Sequence, residues 1–91
     1  MDAAVHIKVE GLVQGVGYRW YAAQRAQSLG VRGYVRNLYD GSVEVDATGD
    51  RSSLEELIGH LKVGPRSAHV TNLHIEWKDP AKDITSGFEI R

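Results

Sequence analysis

Between positions 5 and 13 the apolar residues Val5, Ile7, Val9 and Val13 stand at odd positions, with His6, Lys8 and Glu10 between them. A period of two belongs to a strand with one dry and one wet face, so this segment predicts a half-buried strand. After a glycine-containing break at 14–17 the period changes. Within 19–29, a stretch rich in Ala and Gln, Ala22, Ala26 and Leu29 recur at i, i+4 and i+7, which predicts a helix stopped by Gly30. Two β-rich runs, 31–38 and 42–48, flank Tyr39-Asp40-Gly41, and an Asp-Gly pair supplies the positive φ that a tight hairpin needs. In the second run Val43, Val45 and Ala47 alternate with Glu44, Asp46 and Thr48.

Gly49-Asp50 then opens a second helix, for which Asp50, Ser52 and Ser53 are all acceptable N-caps. Its stripe is Leu54, Leu57, Ile58 and Leu61, and Gly64-Pro65 ends it. A strand over 70–78 follows, expected to turn Leu73, Ile75 and Trp77 inward and His74, Glu76 and Lys78 outward, and a short run around Phe88 and Ile90 closes the chain. The order is β-α-β-β-α-β with a short fifth strand at the C-terminal end. Strands that are apolar on one face only predict an α+β fold, the ferredoxin-like βαββαβ sandwich: an antiparallel sheet with two helices on one face.

A chain of 91 residues and 10.1 kDa supports one core, so residues 1–91 are expected to form a single domain with a folded surface of about 5,300 Å². Eleven Lys and Arg against twelve Asp and Glu leave a net charge of −1, without the basic field that non-specific nucleic-acid binding requires. The absence of cysteine removes disulfides, thiolate metal sites and a cysteine nucleophile. No run approaches 18 apolar residues and the N-terminus does not resemble a signal peptide, so the expected location is cytoplasmic, without membrane association. The four histidines, His6, His60, His69 and His74, show no tight ligand spacing, and no metal is expected. Trp20, Tyr21, Tyr34 and Tyr39 could stack on bases, but Glu10, Glu44, Asp46 and Glu76 on the exposed strand faces oppose a phosphate backbone, so no nucleic-acid partner is expected.

Ten glycines with only two prolines are too many to leave unexplained and too unlike linker composition to dismiss. Gly15 and Gly17, with Gly11 leading in, fall between the first strand and the first helix. There successive N–H groups can turn toward one point, making a candidate anion cradle to which Arg19 adds a fixed charged fork. The dinucleotide fingerprint fails because position 20 is Trp20, and the Gly-Lys-Ser/Thr of the nucleoside-triphosphate loop is absent. A second candidate is Asn37, near the end of its strand, whose amide can donate and accept at once and so orient a water. Taken by itself, this position is also that of an ordinary turn-flanking asparagine. Arg36 reads as a solvated charge on the outer face. Gly33 and Gly87 read as strand glycines, where a close approach or a bulge is the usual reason.

Taken together, Gly11-x-Val13-Gln14-Gly15-Val16-Gly17-Tyr18-Arg19, Gly33-Tyr34-Val35-Arg36-Asn37, Asp40-Gly41-x-Val43-Glu44 and the closing Gly87-Phe88-Glu89-Ile90-Arg91 resemble the paired signatures of the acylphosphatase family over essentially the whole chain. Tyr18 stands where that family commonly has Phe, and Tyr34 where it commonly has Trp. The resemblance implies a cofactor-independent hydrolase of a small-molecule acyl phosphate. Arg19 and the N–H groups of Gly15, Val16, Gly17, Tyr18 and Arg19 would hold the phosphoryl group, and Asn37 would hold the attacking water. Inorganic phosphate would be product and competitive ligand.

The chemistry is consistent with so small a set of groups. A carboxylate leaves without being protonated at neutral pH, and a loose phosphoryl transition state needs mainly charge stabilisation and alignment. A non-catalytic anion-binding module is the alternative from another class. A third reading, the acylphosphatase-like domain of larger carbamoyl-transfer proteins, is disfavoured by the 91-residue length and starting Met, which lead us to expect a free-standing enzyme. The charged outer sheet face leads us to expect a monomer. Nothing in the sequence reads as a dedicated acyl pocket, so modest acyl selectivity is expected.

Overall fold

The computed structural model describes residues 2–80 and 86–91. Its elements are β1 (Asp2–Leu12), α1 (Tyr18–Ser28), β2 (Arg32–Asn37), β3 (Val43–Asp50), α2 (Arg51–Val63), β4 (His69–Lys78) and β5 (Phe88–Ile90). They build one sheet in the order β4-β1-β3-β2-β5. The four longer strands pair antiparallel, as expected of this element order, while β5 adds to β2 in parallel through Gly33–Phe88, Tyr34–Glu89 and Val35–Ile90. Three residues carry too little periodic signal to declare a direction, so tertiary pairing sets it.

The odd-numbered side chains of β1 and the matching positions of its neighbours make the dry face. Val5, Ile7, Val9, Val35, Val43, Val45 and Ala47 form one cluster with Tyr18, Ala22 and Ala26 of α1 and Leu54, Leu57 and Leu61 of α2, so both helices cover the same side of the sheet. Total accessible surface is 5322 Å², matching the size expectation. At β4 Leu73, Ile75 and Trp77 stand opposite Val9, Ile7 and Val5 and so take the dry face as expected, but only Leu73 and Trp77 are partly buried while Ile75 is exposed. The strand is an edge with β1 as its one neighbour, so its outer side has no further strand to cover it, and the contact that α2 makes with β4 leaves Ile75 open.

The caps follow local chemistry. α1 ends with the N–H of Gly30 on the carbonyl of Gln27 (3.1 Å) and that of Val31 on Ala26 (2.9 Å), the paired bonds that a left-handed glycine permits, and Gly30 has φ 71°. At α2 the cap is Asp50, whose carboxylate accepts from the Ser52 N–H at 3.2 Å, which resolves the choice among three candidates. On the wet face of the sheet, carboxylates are matched across strands. Glu44 takes hydrogen bonds from Arg36 and from His6 (2.8 Å), Glu10 meets His74 (3.0 Å) and Asp46 meets Lys78 (2.5 Å). Burial works to raise the Glu44 pKa, but its bonds to His6 and Arg36 outweigh that and hold it below the ordinary carboxyl value.

Candidate functional site

Strand β1 delivers the chain into a turn in which Gly15 and Gly17 take φ of 74° and 79°. These are left-handed conformations that L side chains occupy only at a cost of about 1–2 kcal/mol. A Cβ built on either glycine meets no protein atom within 4 Å, so backbone conformation, not crowding, selects glycine there, and both residues border open space. Gly17 is also the N-cap of α1. It has no side chain to accept a bond, and the first turn of the helix holds no acidic residue. The Tyr21 N–H reaches the Gly17 carbonyl at 3.0 Å. The N–H groups ahead of it are those a helix start leaves without an intrahelical acceptor, and the helix dipole adds partial positive charge at the same place.

Arg19, half-buried on the first turn of α1, donates from Nη1 to the main-chain oxygen of Arg91 at 3.2 Å. No side-chain carboxylate pairs with it among the described residues, so most of its fork stays available. Asn37 is the last residue of β2, exposed, and its amide has no protein partner among the described residues. A cavity of about 190 Å³ brings these groups together: Gly15, Gly17, Arg19 and Asn37 line it with Val13, Tyr18, Trp20 and Ile90.

Not every residue of the expected cradle lines this cavity. Val16 does not; its side chain packs against the core, which leaves its main-chain N–H as its only contribution to the expected cradle. Tyr18 contributes no hydroxyl, because its ring is 1% exposed and its OH donates to the Leu61 carbonyl at 2.7 Å. Burial, with a smaller contribution from Tyr21, pushes its phenol pKa well above the ordinary 10.0. Gly11, expected to lead into the cradle, instead lies within β1 beside a register shift against β4. A Cβ there would sit 2.1 Å from the His69 carbonyl oxygen, so Gly11 serves strand packing.

Gln14 was not singled out by its position in the motif, yet it joins the two halves of the site. Its Nε2 donates to the carbonyls of Leu38 (2.7 Å) and Ser42 (2.8 Å), which flank the turn after Asn37. An amide in a loop gives no hint of acceptors 24 and 28 residues away, so only the fold reveals the tether. The turn it grips carries bonds of its own. Asp40 accepts the Ser42 N–H at 3.0 Å and pairs with Lys8 at 2.7 Å. Its carboxyl is held well below the usual range, first by Lys8 and then by Ser42.

The remaining candidates lie elsewhere. Arg36 is on the outer face with Glu44, and His6, His60 and His74 each face a glutamate rather than one another. No helix among the described residues is long and apolar enough to cross a membrane.

A family model described as Acylphosphatase matches residues 5–90. The chain is 52% identical over 77 residues to an acylphosphatase of Caldanaerobacter subterraneus subsp. tengcongensis, covering 85% of this chain and 86% of that one. It is 47% identical over 85 residues to an acylphosphatase of Thermococcus kodakarensis, covering 93% and 91%. Among solved structures, the crystal structure of acylphosphatase from Bacillus subtilis superposes with a TM-score of 0.93 at 29% identity, covering 98% of each chain.

Proposed function

Since the chain belongs to the acylphosphatase family of enzymes, we propose that it hydrolyses the carboxyl-phosphate bond of acyl phosphates by direct attack of water, with Arg19 and the loop amides holding phosphate and Asn37 holding the water. The observation that carries this reading is the shared cavity. Gly15, Gly17, Arg19 and Asn37 border one space of about 190 Å³, at a helix start whose donors lack a side-chain cap.

The phosphoryl oxygens sit against the N–H groups of residues 15–19 and the Arg19 fork, where positive charge already exists before the substrate arrives. Arg19 is itself held by the Arg91 main-chain oxygen, so less rotamer freedom remains to be lost on binding. From the other wall the Asn37 amide donates to or accepts from a water, leaving a lone pair aimed at phosphorus. As the water oxygen–phosphorus bond forms, the phosphorus–acyl oxygen bond breaks and its electron pair leaves as a carboxylate. One proton of the water passes to a phosphate oxygen, giving a carboxylate and inorganic phosphate. No general acid, metal or cofactor is needed, because the leaving group is stable as an anion at neutral pH and the charge on the transferring group is met by a guanidinium and amides. The domain acts as a monomer, its outer sheet face being occupied by cross-strand ion pairs.

The test is the steady-state hydrolysis of benzoyl phosphate. Wild type should turn over, inorganic phosphate should compete, and chelators should change nothing. Arg19→Ala should lose about 10²–10³-fold or more in kcat/KM with phosphate competition weakened, by analogy with loss of one transition-state donor. Asn37→Ala should lose turnover while the inhibition constant for phosphate holds. Tight phosphate binding without hydrolysis by wild type would leave a binding module instead, and near-normal turnover in Asn37→Ala would remove the water-positioning role.

A further inference from the structure

Two large apolar side chains at the cavity are not explained by phosphate binding. Trp20 is 62% exposed and Ile90 is 48% exposed, and both line the same space as Arg19 and Asn37. Trp20 takes no part in the core. The buried residues of α1 are Tyr18, Ala22, Ala23 and Ala26, a stripe from which Trp20 is excluded. A lone exposed apolar residue needs no explanation. An indole and a branched aliphatic chain from two separate elements, bordering one cavity whose other wall is cationic and amide-lined, do. The cavity thus has two chemistries, and an acyl phosphate has the same two: a charged phosphoryl end and an acyl end that carries no charge in an apolar acid.

Resting on the hydrolytic reading above, we propose that Trp20 and Ile90 form the acyl-binding wall of this site and give the enzyme a preference for acyl phosphates with aromatic or bulky apolar acyl groups. Such a wall contacts a part of the substrate that does not change in the reaction. Its contribution is equal in the ground and transition states, so it lowers KM and leaves kcat alone. Nothing charged on Trp20 or Ile90 would reward a polar acyl group, so a small acyl group such as acetyl gains little.

The experiment compares benzoyl and acetyl phosphate in wild type, Trp20→Ala and Trp20→Phe. Wild type should favour benzoyl phosphate through KM. In Trp20→Ala the benzoyl-to-acetyl ratio of kcat/KM should fall about tenfold, equivalent to about 1.4 kcal/mol of apolar and stacking contact, with the change in KM. Trp20→Phe should keep most of the preference. The inhibition constant for inorganic phosphate should stay within about twofold in both variants, which separates loss of the acyl wall from damage to the loop. An unchanged ratio in Trp20→Ala, or a loss that falls equally on both substrates and on phosphate, overturns the proposal. Failure of wild type to hydrolyse either substrate overturns the hydrolytic reading itself.

Discussion

Replacing Gln14 with leucine, similar in size but unable to donate, cuts the bridge between the glycine turn and the turn that follows Asn37. Two hydrogen bonds disappear, at 2.7 and 2.8 Å. Neither acceptor is orphaned: the Leu38 carbonyl also receives the Gly41 N–H at 3.2 Å, and the Ser42 carbonyl receives the Leu38 N–H at 2.9 Å. The penalty for a buried unpaired carbonyl therefore does not apply. The cost is the net value of the two bonds, about 1–2 kcal/mol. For a domain of this size that lowers Tm by roughly 4–16 °C. The catalytic cost should be larger than this suggests, because a displacement of about 1 Å between water and phosphorus can remove about 10²-fold in rate. We expect kcat for benzoyl phosphate to fall about 10–100-fold while the inhibition constant for phosphate changes less than about threefold, the glycines and Arg19 being untouched. Steady-state kinetics beside thermal unfolding by circular dichroism reads both quantities. A variant with lowered Tm and wild-type kcat would refute the idea that the tether positions Asn37.

Three further outcomes follow from other parts of the molecule. Gly11→Ala should destabilise severely, by about 3 kcal/mol or more, because its Cβ would lie 2.1 Å from a backbone oxygen that cannot swing aside; urea unfolding should show it, and a stability loss below about 1 kcal/mol would contradict the strand-packing role. Gly17→Ala meets no atom, so it should lose only about 1–2 kcal/mol from its φ of 79°, yet weaken phosphate competition because the methyl enters the open side of the turn; unchanged competition would argue against that placement of the ligand. Tyr18→Phe should cost about 1–3 kcal/mol at neutral pH by leaving the Leu61 carbonyl without its donor. The Tyr18 phenol titrates higher folded than unfolded, so its stabilisation is complete below pH 10.0 and is lost as the pH rises beyond that. Denaturation midpoints across that range should show the gap between wild type and Tyr18→Phe closing toward alkali, and a gap that widens would reverse the assignment.

Much of the fold could be read along the chain because its signals are local. The two-residue period of Val5, Ile7 and Val9 and the helical spacing of Leu54, Leu57, Ile58 and Leu61 each report a face that must leave water, and those faces are the buried ones. Helix ends were readable to within a residue or two where glycine ends them. The cap of α2 was not, since Asp50, Ser52 and Ser53 offer equivalent local chemistry and the choice depends on how β3 enters the helix. Ile75 takes the expected face opposite Ile7 yet is exposed, because period says which face a residue takes and not whether anything covers that face. Gly11 was misplaced for a related reason: a glycine needed for close approach to another strand looks in sequence like a glycine needed for a turn.

The site divides in the same way. Sequence alone determined the turn of Gly15 and Gly17, the arginine two residues on and the asparagine at the end of a strand, because these depend on neighbours in the chain. Tertiary structure decided what they share. The Gln14 bridge spans 24 and 28 positions, and the contact that holds Arg19 spans 72. Ile90 reaches the cavity only because β5 joins the free edge of β2, and Trp20 acquires a neighbour of its own chemistry only there. Periodicity carries no information about such separations; strand register and helix packing set them, and with them the shape of the cavity that these residues line.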